Sequence, residues 1–397
     1  MSSDKDTLID DLTPKKQTQE NFSCDDDSKL VTNGASKKRK AHGPSIRIEK
    51  ERKWIAKNLN VKKREEILKD RTEWIQNHAD ICHLVTLNDV RDIKTSKIDE
   101  LKSWNRYLLP YLDLKINNST KNRFIAEGLE PVRIFLEQLN KNKHLIKICS
   151  IIVKSGTFFG EQDPKCCLLT DWLNCPQTQR PKLLIVEEDK VLDEVVGFRF
   201  GQGAMACGIP RTILWDNLWP RIEEKKFDMY SYLLDSCRSK KRFVALDGVN
   251  NMANMGSIIR CAAAFGVDAI LMTATCCNVW YRQSVRVSMG YIAKVPIITV
   301  GNLENVISEL ENSEITCYAA ISENRTGTLA LEDLEKGDIA SSWCCVLGNE
   351  ANGIQPEVIR NCSFSIRIRM QGGIDSLSVS VAAGILLHGF LEKSGGL

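Results

Sequence analysis

Three short segments in the last third of the chain set glycines, carboxamides, charges and hydroxyls at the edges of apolar runs. They are Asn254-Met255-Gly256-Ser257-Ile258-Ile259-Arg260, Leu347-Gly348-Asn349-Glu350-Ala351-Asn352-Gly353, and Ile368-Arg369-Met370 followed by Ser376-Leu377-Ser378-Val379-Ser380. In the first, Gly256 and Arg260 are four residues apart and share a helix face. The glycine admits close approach by another segment, and the arginine lies one turn along, beside whatever fills the gap. In the second, Gly348 exposes backbone groups at a strand end, where ligands bind in parallel sheets, and Glu350 is positioned to pair with an arginine. In the third, Gly372-Gly373 permits a tight path before Ser376 and Ser378, either of which can cap the helix that follows. Taken singly, each segment also has a plain structural reading: a capped helix start, a strand-to-helix turn, a second capped helix.

The elements that must position these segments are legible as apolar runs. Phe243–Leu246, Ala269–Met272, Val295–Val300, Thr316–Ile321 and Cys344–Leu347 read as strands, with helices over Met255–Phe265 and Val379–Leu391. This alternation predicts a mostly parallel sheet covered on both faces. Upstream, Phe124–Gly128 reads as a strand entering a turn, Pro131–Leu139 as a helix and Leu183–Val186 as a buried strand. Gly201-Gln202-Gly203-Ala204-Met205-Ala206-Cys207 leads into Ile209-Pro210, and together these predict a smaller α/β layer. Gly156–Pro181 reads as an inserted loop. Gly201-Gln202-Gly203 is not a dinucleotide loop, because no third glycine and no helix start complete it.

The expected organisation is a disordered tail over 1–45, a charged and mainly helical region over 46–115, the small α/β domain over 120–210, a linker over 211–241 and the main α/β domain over 242–397. The tail is polar and poor in large apolar groups. Its run Lys37-Lys38-Arg39-Lys40 reads as a solvated tail, a nuclear import signal or an RNA-touching arm. Trp215 and Trp219 in the linker are expected to pack between domains. With 397 residues, 43% hydrophobic and 26% charged, the composition is that of a globular protein of two or three domains. A net charge of +3 provides no global field toward nucleic acid, so any basic footprint must be local. Fifteen cysteines without a C-x-x-C pair signal neither zinc nor a redox dithiol, so no metal is expected and the thiols point to a reducing, intracellular compartment. No apolar run is long enough to span a bilayer. The acidic first thirty residues argue against a transit peptide, leaving nucleus, nucleolus or cytoplasm as the expected location.

In this order and spacing, the three segments resemble the SpoU-type RNA ribose methyltransferases of the SPOUT superfamily. The match covers 243–391 strongly through N-x-G-x-x-x-R, G-N-E-x-x-G and the serine-rich third segment. It extends over 120–210 through F-I-A-E-G and G-Q-G-A-M-A, landmarks of the small RNA-binding domain that precedes the catalytic domain in many such proteins. The resemblance implies an α/β fold whose last segments form a trefoil knot, S-adenosylmethionine as cofactor, transfer of methyl to a ribose 2′-hydroxyl of tRNA or rRNA, and a homodimer built on the knot domain. Carried over by motif position, Leu347, Gly348, Ile368, Met370 and Leu377 hold the cofactor. Arg260 faces the hydroxyl, Asn254 supports the active-site loop, Glu350 orients Arg260, and Ser376 and Ser378 complete the site. Ser284–Gly290 resembles the family's loop between the first two motifs, with Arg286 and Ser288 as expected RNA contacts.

Two positions depart from the family pattern: Arg369 stands where proline is usual, and Ser378 where asparagine is usual. They motivate a second reading, a non-catalytic RNA-binding or assembly protein that retains the fold. Cofactor binding discriminates the two. A third reading, methylation of a base nitrogen, is disfavoured by the intact N-x-G-x-x-x-R segment.

Overall fold

Strands buried on both faces of a parallel sheet must be apolar along their whole length, and the two layers of this protein sort by that property. The structure, a computed structural model, describes residues 70–95, 104–114, 123–140, 146–160, 167–210, 213–214, 240–323, 325–372 and 374–396. The expectations for the tail over 1–45, for residues 46–69 and 96–103 of the charged region and for the linker tryptophans lie outside the described residues.

The first layer is a five-stranded sheet of β1 (Cys82–Leu84), β2 (Phe124–Glu127), β3 (Ile146–Lys154), β4 (Lys182–Val186) and β5 (Ala204–Pro210), in the order β1-β4-β3-β5-β2. β4 runs parallel to β1 and β3, whereas β5 is antiparallel to β2 and β3. Helices α1 (Leu87–Thr95), α2 (Leu129–Asn140) and α3 (Asp189–Val196) accompany it. Two expectations are corrected here. The sheet draws β1 from within 46–115, upstream of residue 120. And 156–181 is not simply an inserted loop: short helices form over Ser155–Phe159 and Leu169–Leu173. The reason is Trp172, which is fully buried, stacks edge-on against Trp74 and Phe158, and donates its indole N–H to the Pro181 carbonyl at 2.9 Å. A buried tryptophan anchored at both ends holds its segment against the core.

The second layer contains β6 (Ile213–Leu214), β7 (Arg242–Asp247), β8 (Ala269–Thr273), β9 (Ile297–Val300), β10 (Thr316–Ala320), β11 (Leu329–Ala330), β12 (Trp343–Gly348) and β13 (Phe364–Arg367). Their order is β11-β13-β10-β12-β7-β8-β9-β6, and the pairings are parallel throughout. Helices α4 (Met252–Ala264), α5 (Arg282–Val287), α6 (Leu303–Asn312), α7 (Pro356–Asn361) and α8 (Val379–Lys393) connect or follow the strands. From β7 the chain steps outward to β8 and β9, whereas β12, β10 and β13 lie on the other side of β7. The strand order therefore reverses between β7 and β12, and crevices form outside the carboxyl ends of such strands. In this sheet those ends are Asp247 and Gly348. Cys344 and Cys345 of β12 are wholly buried; burial pushes the Cys345 thiol up to about 12 and raises Cys344 as well. The cysteines among the described residues are free, and these two behave as small hydrophobes.

A contact chain links the two layers. Glu127, at the end of β2, is 5% exposed and takes the Arg282 guanidinium, whose Nε donates at 2.5 Å. Arg286 approaches the same carboxylate at 3.7 Å, and Arg282 also donates to the Leu114 carbonyl. Phe124 packs on Trp280 with ring centroids 4.9 Å apart. α5 then presses on α4: a Cβ on Gly256 would lie 2.6 Å from the Ser284 carbonyl oxygen and 2.8 Å from Val287 Cβ. The Ser284 hydroxyl donates to the Met252 carbonyl at 3.1 Å.

Two stability predictions follow from this chain. Gly256→Ala is expected to cost about 2 kcal/mol by overpacking, read as a lowered urea midpoint. Arg282→Met is expected to cost about 3 kcal/mol by stranding a buried carboxylate, and more than the double change Glu127→Gln with Arg282→Met; equal losses in a double-mutant cycle would argue against the pair.

Candidate active site

The first segment starts a helix because Asn251 caps it. Its side-chain oxygen accepts from the Ala253 and Asn254 amides at 2.9 and 3.0 Å, satisfying donors that a helix start leaves open. α4 therefore begins at Met252, three residues before the expected start, and Asn254 falls in its first turn. The second segment leaves β12 through a tight loop. Asn349 and Gly353 exchange two backbone hydrogen bonds at 2.9 Å. The Asn349 side-chain oxygen accepts from the Ala351 and Asn352 amides, and its Nδ2 donates to the Gly248 carbonyl at 2.7 Å. Buried Asp247 takes the Gln355 amide at 2.8 Å. The loop folds so closely over the strand end that a Cβ on Gly348 would lie 2.3–2.5 Å from the Gly353 and Ile354 backbone. Only glycine tolerates that approach.

The second segment and the third enclose a cleft of about 510 Å³. Leu347, Gly348 and Glu350 line it from the second segment; Arg367 at the end of β13 and Ile368 and Met370 beyond it line it next; Ser376, Leu377 and Ser378 line it before α8. All five residues expected to hold a cofactor thus share one cavity. The volume is in the range of small-molecule sites, and Leu347, Ile368, Leu377 and Leu386 are among the residues around it.

Asn254 ties the three segments together. Its Nδ2 donates to Glu350 Oε1 at 3.0 Å, while its Oδ1 accepts from Ser378 Oγ at 3.2 Å and Ser380 Oγ at 3.1 Å. The two hydroxyls also contact each other at 3.0 Å. Ser378 occupies the N-cap of α8 without a side-chain cap bond, so its hydroxyl serves Asn254 instead of the helix. Ser380 is a participant that residue types alone did not single out; only the folded path of the third segment brings it to Asn254. Ser376 lines the cleft.

Arg260 and Glu350 do not meet as expected. Glu350 bonds Asn254 and the Asn250 and Asn251 amides, the latter two at 3.2 Å. Arg260 lies six residues beyond Asn254, about 120° around the helix and roughly 9 Å along it, and is exposed. Ser288 is not an RNA contact in this arrangement: it is fully buried, with its hydroxyl donating to the Val285 carbonyl at 2.8 Å. Arg286 retains a side chain 55% exposed beside Glu127. Arg369 points away from the cleft. Its amide donates to Glu332 at 3.0 Å and its guanidinium pairs with Asp333.

Partial burial opposes ionisation of Glu350, but the Asn254 amide and the backbone N–H groups of Glu350, Asn250 and Asn251 outweigh it and hold the carboxyl below its usual range. A depressed folded pKa stabilises the fold above the ordinary carboxylate pKa, and that contribution is lost as pH falls through the folded value. Glu350→Gln should therefore lower the melting temperature near neutral pH and flatten its fall below about pH 5; parallel pH profiles for the two proteins would refute the assignment.

With this geometry in place, comparison with known proteins is informative. Residues 241–388 match the SpoU rRNA Methylase family. The 23S rRNA (guanosine-2'-O-)-methyltransferase RlmB of Xylella fastidiosa is 34% identical over 188 residues, spanning 47% of this chain and 70% of the relative. Among solved structures, the SpoU methyltransferase AviRb of Streptomyces viridochromogenes in complex with AdoMet aligns with a TM-score of 0.53 at 17% identity, covering 75% of this chain and 100% of the other. An AdoMet-bound rRNA methyltransferase from Sinorhizobium meliloti aligns with a TM-score of 0.51 at 20% identity, covering 78% and 97%. The two structures establish the shared mixed α/β fold with its parallel sheet, and the sequence match establishes kinship: this chain belongs to the SpoU rRNA methylase family.

Proposed function

We propose that the chain methylates a ribose 2′-hydroxyl of RNA, with S-adenosylmethionine as methyl donor. The observation that carries this reading is the convergence of Asn254, Glu350 and Ser378 at a cleft lined by Leu347, Gly348, Ile368, Met370 and Leu377. The cleft fits the cofactor: Gly348 lines the wall where the loop folds over the end of β12, and the aliphatic residues Leu347, Ile368 and Leu377 line it with faces suited to an adenine ring. When bound, S-adenosylmethionine supplies a methyl group already activated on a sulfonium. The chain's own residues then have to position a hydroxyl and manage its proton.

Holding a reactant in line is itself a large part of such a rate. Asn254, fixed by Glu350 on one side and by Ser378 and Ser380 on the other, is the rigid element of that positioning, and Ser376 lines the cleft. A guanidinium offers donors and no acceptor, which makes Arg260 unsuited to the role of base. Its role is to stabilise negative charge on the ribose oxygen or the adjacent phosphate, while the proton leaves to phosphate or water. Its exposed place on α4 makes it available to an RNA strand lying along that helix. The RNA is tRNA or rRNA, with the activity named for the Xylella relative favouring rRNA, and the small α/β layer is its second holding surface.

We further propose a homodimer through the domain over 242–397, whose last segments form the trefoil knot of this family. Val381 and Ile385 lie one turn apart on α8 and are 51% and 38% exposed. Such an apolar stripe on a helix calls for a covering partner. No helix among the described residues is long and apolar enough to cross a membrane.

Transfer of labelled methyl to total RNA, read as alkali-resistant dinucleotides, tests the activity. Arg260→Ala is expected to lower turnover about 100-fold or more with cofactor affinity unchanged, and Arg260→Lys to fall well short of wild type. Absence of label from a folded chain that binds RNA but not cofactor would favour the non-catalytic reading. Val381→Glu is expected to shift the sedimenting species from dimer to monomer; an unchanged dimer would place the interface elsewhere.

A further inference from the structure

The cleft between the second and third segments holds a charge that the residues assigned to the cofactor leave unused. Arg367, the last residue of β13, lines this cavity. It is the only cation among the described residues that line it. The side chain is partly buried, and its Nε is a buried donor with no hydrogen-bond partner. The two carboxylates of the cleft do not neutralise it. Glu350 spends its oxygens on the Asn254 side chain and the Asn250 and Asn251 amides. Asp375, in the third segment, is exposed at the cavity wall, and no ion pair among the described residues joins it to Arg367.

A partly buried guanidinium without a counter-charge is costly to hold. The chain avoids that cost nearby: Arg369, two residues on, pairs with Asp333, and Arg282 pairs with Glu127. An uncompensated cation in the wall of a ligand cleft therefore marks the place of an anion that the ligand brings. Because Nε is shut off from open solvent, the wall favours an anion carried into the cleft over one passing along the protein surface. S-adenosylmethionine carries one such group, the α-carboxylate of its methionine portion. Its sulfonium and its α-ammonium are both cationic, so the carboxylate is the part of the cofactor that an arginine attracts. The planar fork of a guanidinium matches a carboxylate in shape as well as charge.

We infer that Arg367 is a further cofactor residue, which holds the α-carboxylate of S-adenosylmethionine and so fixes the methionine end of the cofactor in the cleft. The inference rests on the S-adenosylmethionine reading of that cleft. It adds a charged contact to a site otherwise lined for the cofactor by Leu347, Gly348, Ile368, Met370 and Leu377. It also makes the chain selective for a cofactor whose amino-acid tail is intact. An RNA phosphate shares the oxyanion chemistry, and RNA binding by the same variant separates the two.

The test is isothermal calorimetry with S-adenosylmethionine and with decarboxylated S-adenosylmethionine, which lacks the carboxylate alone. The proteins are the wild type, Arg367→Met and, as a control on a neighbouring arginine outside the cleft lining, Arg369→Gln. Wild type is expected to bind the intact cofactor about tenfold or more tightly than the decarboxylated one. Arg367→Met is expected to bring the two within about twofold of each other by losing affinity for the intact cofactor only, while Arg369→Gln keeps the wild-type ratio. The ratio cancels any loss of folded protein, and the wild-type comparison needs no substitution at all. Equal binding of the two ligands by wild type overturns the proposal. So does an Arg367→Met protein that keeps the wild-type ratio, or one that loses the same factor for both ligands, which marks a structural role. An Arg367→Met protein that keeps the ratio but binds a fluorescein-labelled RNA stem-loop more weakly in an anisotropy titration moves the arginine to a phosphate. A wild type that binds the RNA and neither adenosyl ligand removes the S-adenosylmethionine reading together with the inference. Equal binding of both ligands leaves that reading standing and removes only the role of Arg367.

Discussion

One carboxamide holds the cleft in shape. Asn254 divides its hydrogen-bonding capacity between two segments that the chain delivers from different directions, donating to Glu350 after β12 and accepting from Ser378 and Ser380 at the start of α8. An aspartate in this place would repel Glu350, and an aliphatic residue would remove the one side chain that bridges the two segments. Because an amide offers donor and acceptor at fixed separation, it specifies the spacing of the two segments as well as their contact. The capping of α4 by Asn251 and the close packing of α5 on Gly256 hold the helix that carries it.

That same helix is the point where the two layers communicate. Glu127 sits on the small sheet, its partner Arg282 on α5, and α5 bears on the first two turns of α4 through Ser284 and Val287. A buried ion pair contributes little net stability compared with an apolar pair, and its better-attested use is to select one arrangement. Here the arrangement it selects is the pose of the small layer against the helix that bears Asn254 and Arg260.

Much of the main layer was legible because parallel strands buried on both faces are written as unbroken apolar runs; β7, β8, β10 and β12 extend the expected runs by no more than one residue at an end, apart from a last residue lost from β10. β13 escaped notice because Phe364 and Ser365 remain partly exposed and the run is only four residues long. β1 is three residues and gains its identity only by pairing with β4. The residues around the cleft were legible from the motif resemblance, but their partners were not. Glu350 prefers an amide donor in its own crevice to an arginine on another face of α4. Ser288 read as available because a hydroxyl in a basic stretch resembles a phosphate contact, whereas its burial depends on α5 packing flat against α4. Such long-range choices leave no local trace in composition or period.

Arg369 illustrates what a single exchange does to a loop's mechanics. Proline, usual at this position in the family, would stiffen the backbone covalently and would have no amide proton to give. The arginine gives its amide to Glu332 and its guanidinium to Asp333, so the strap between β13 and the serine-rich segment is tethered by charge rather than by a ring. Covalent stiffness is indifferent to the surrounding solution, but an exposed ionic tether weakens as counterions accumulate. In this chain the flexibility of one wall of the cleft has become a property of the ionic medium as well as of the polypeptide.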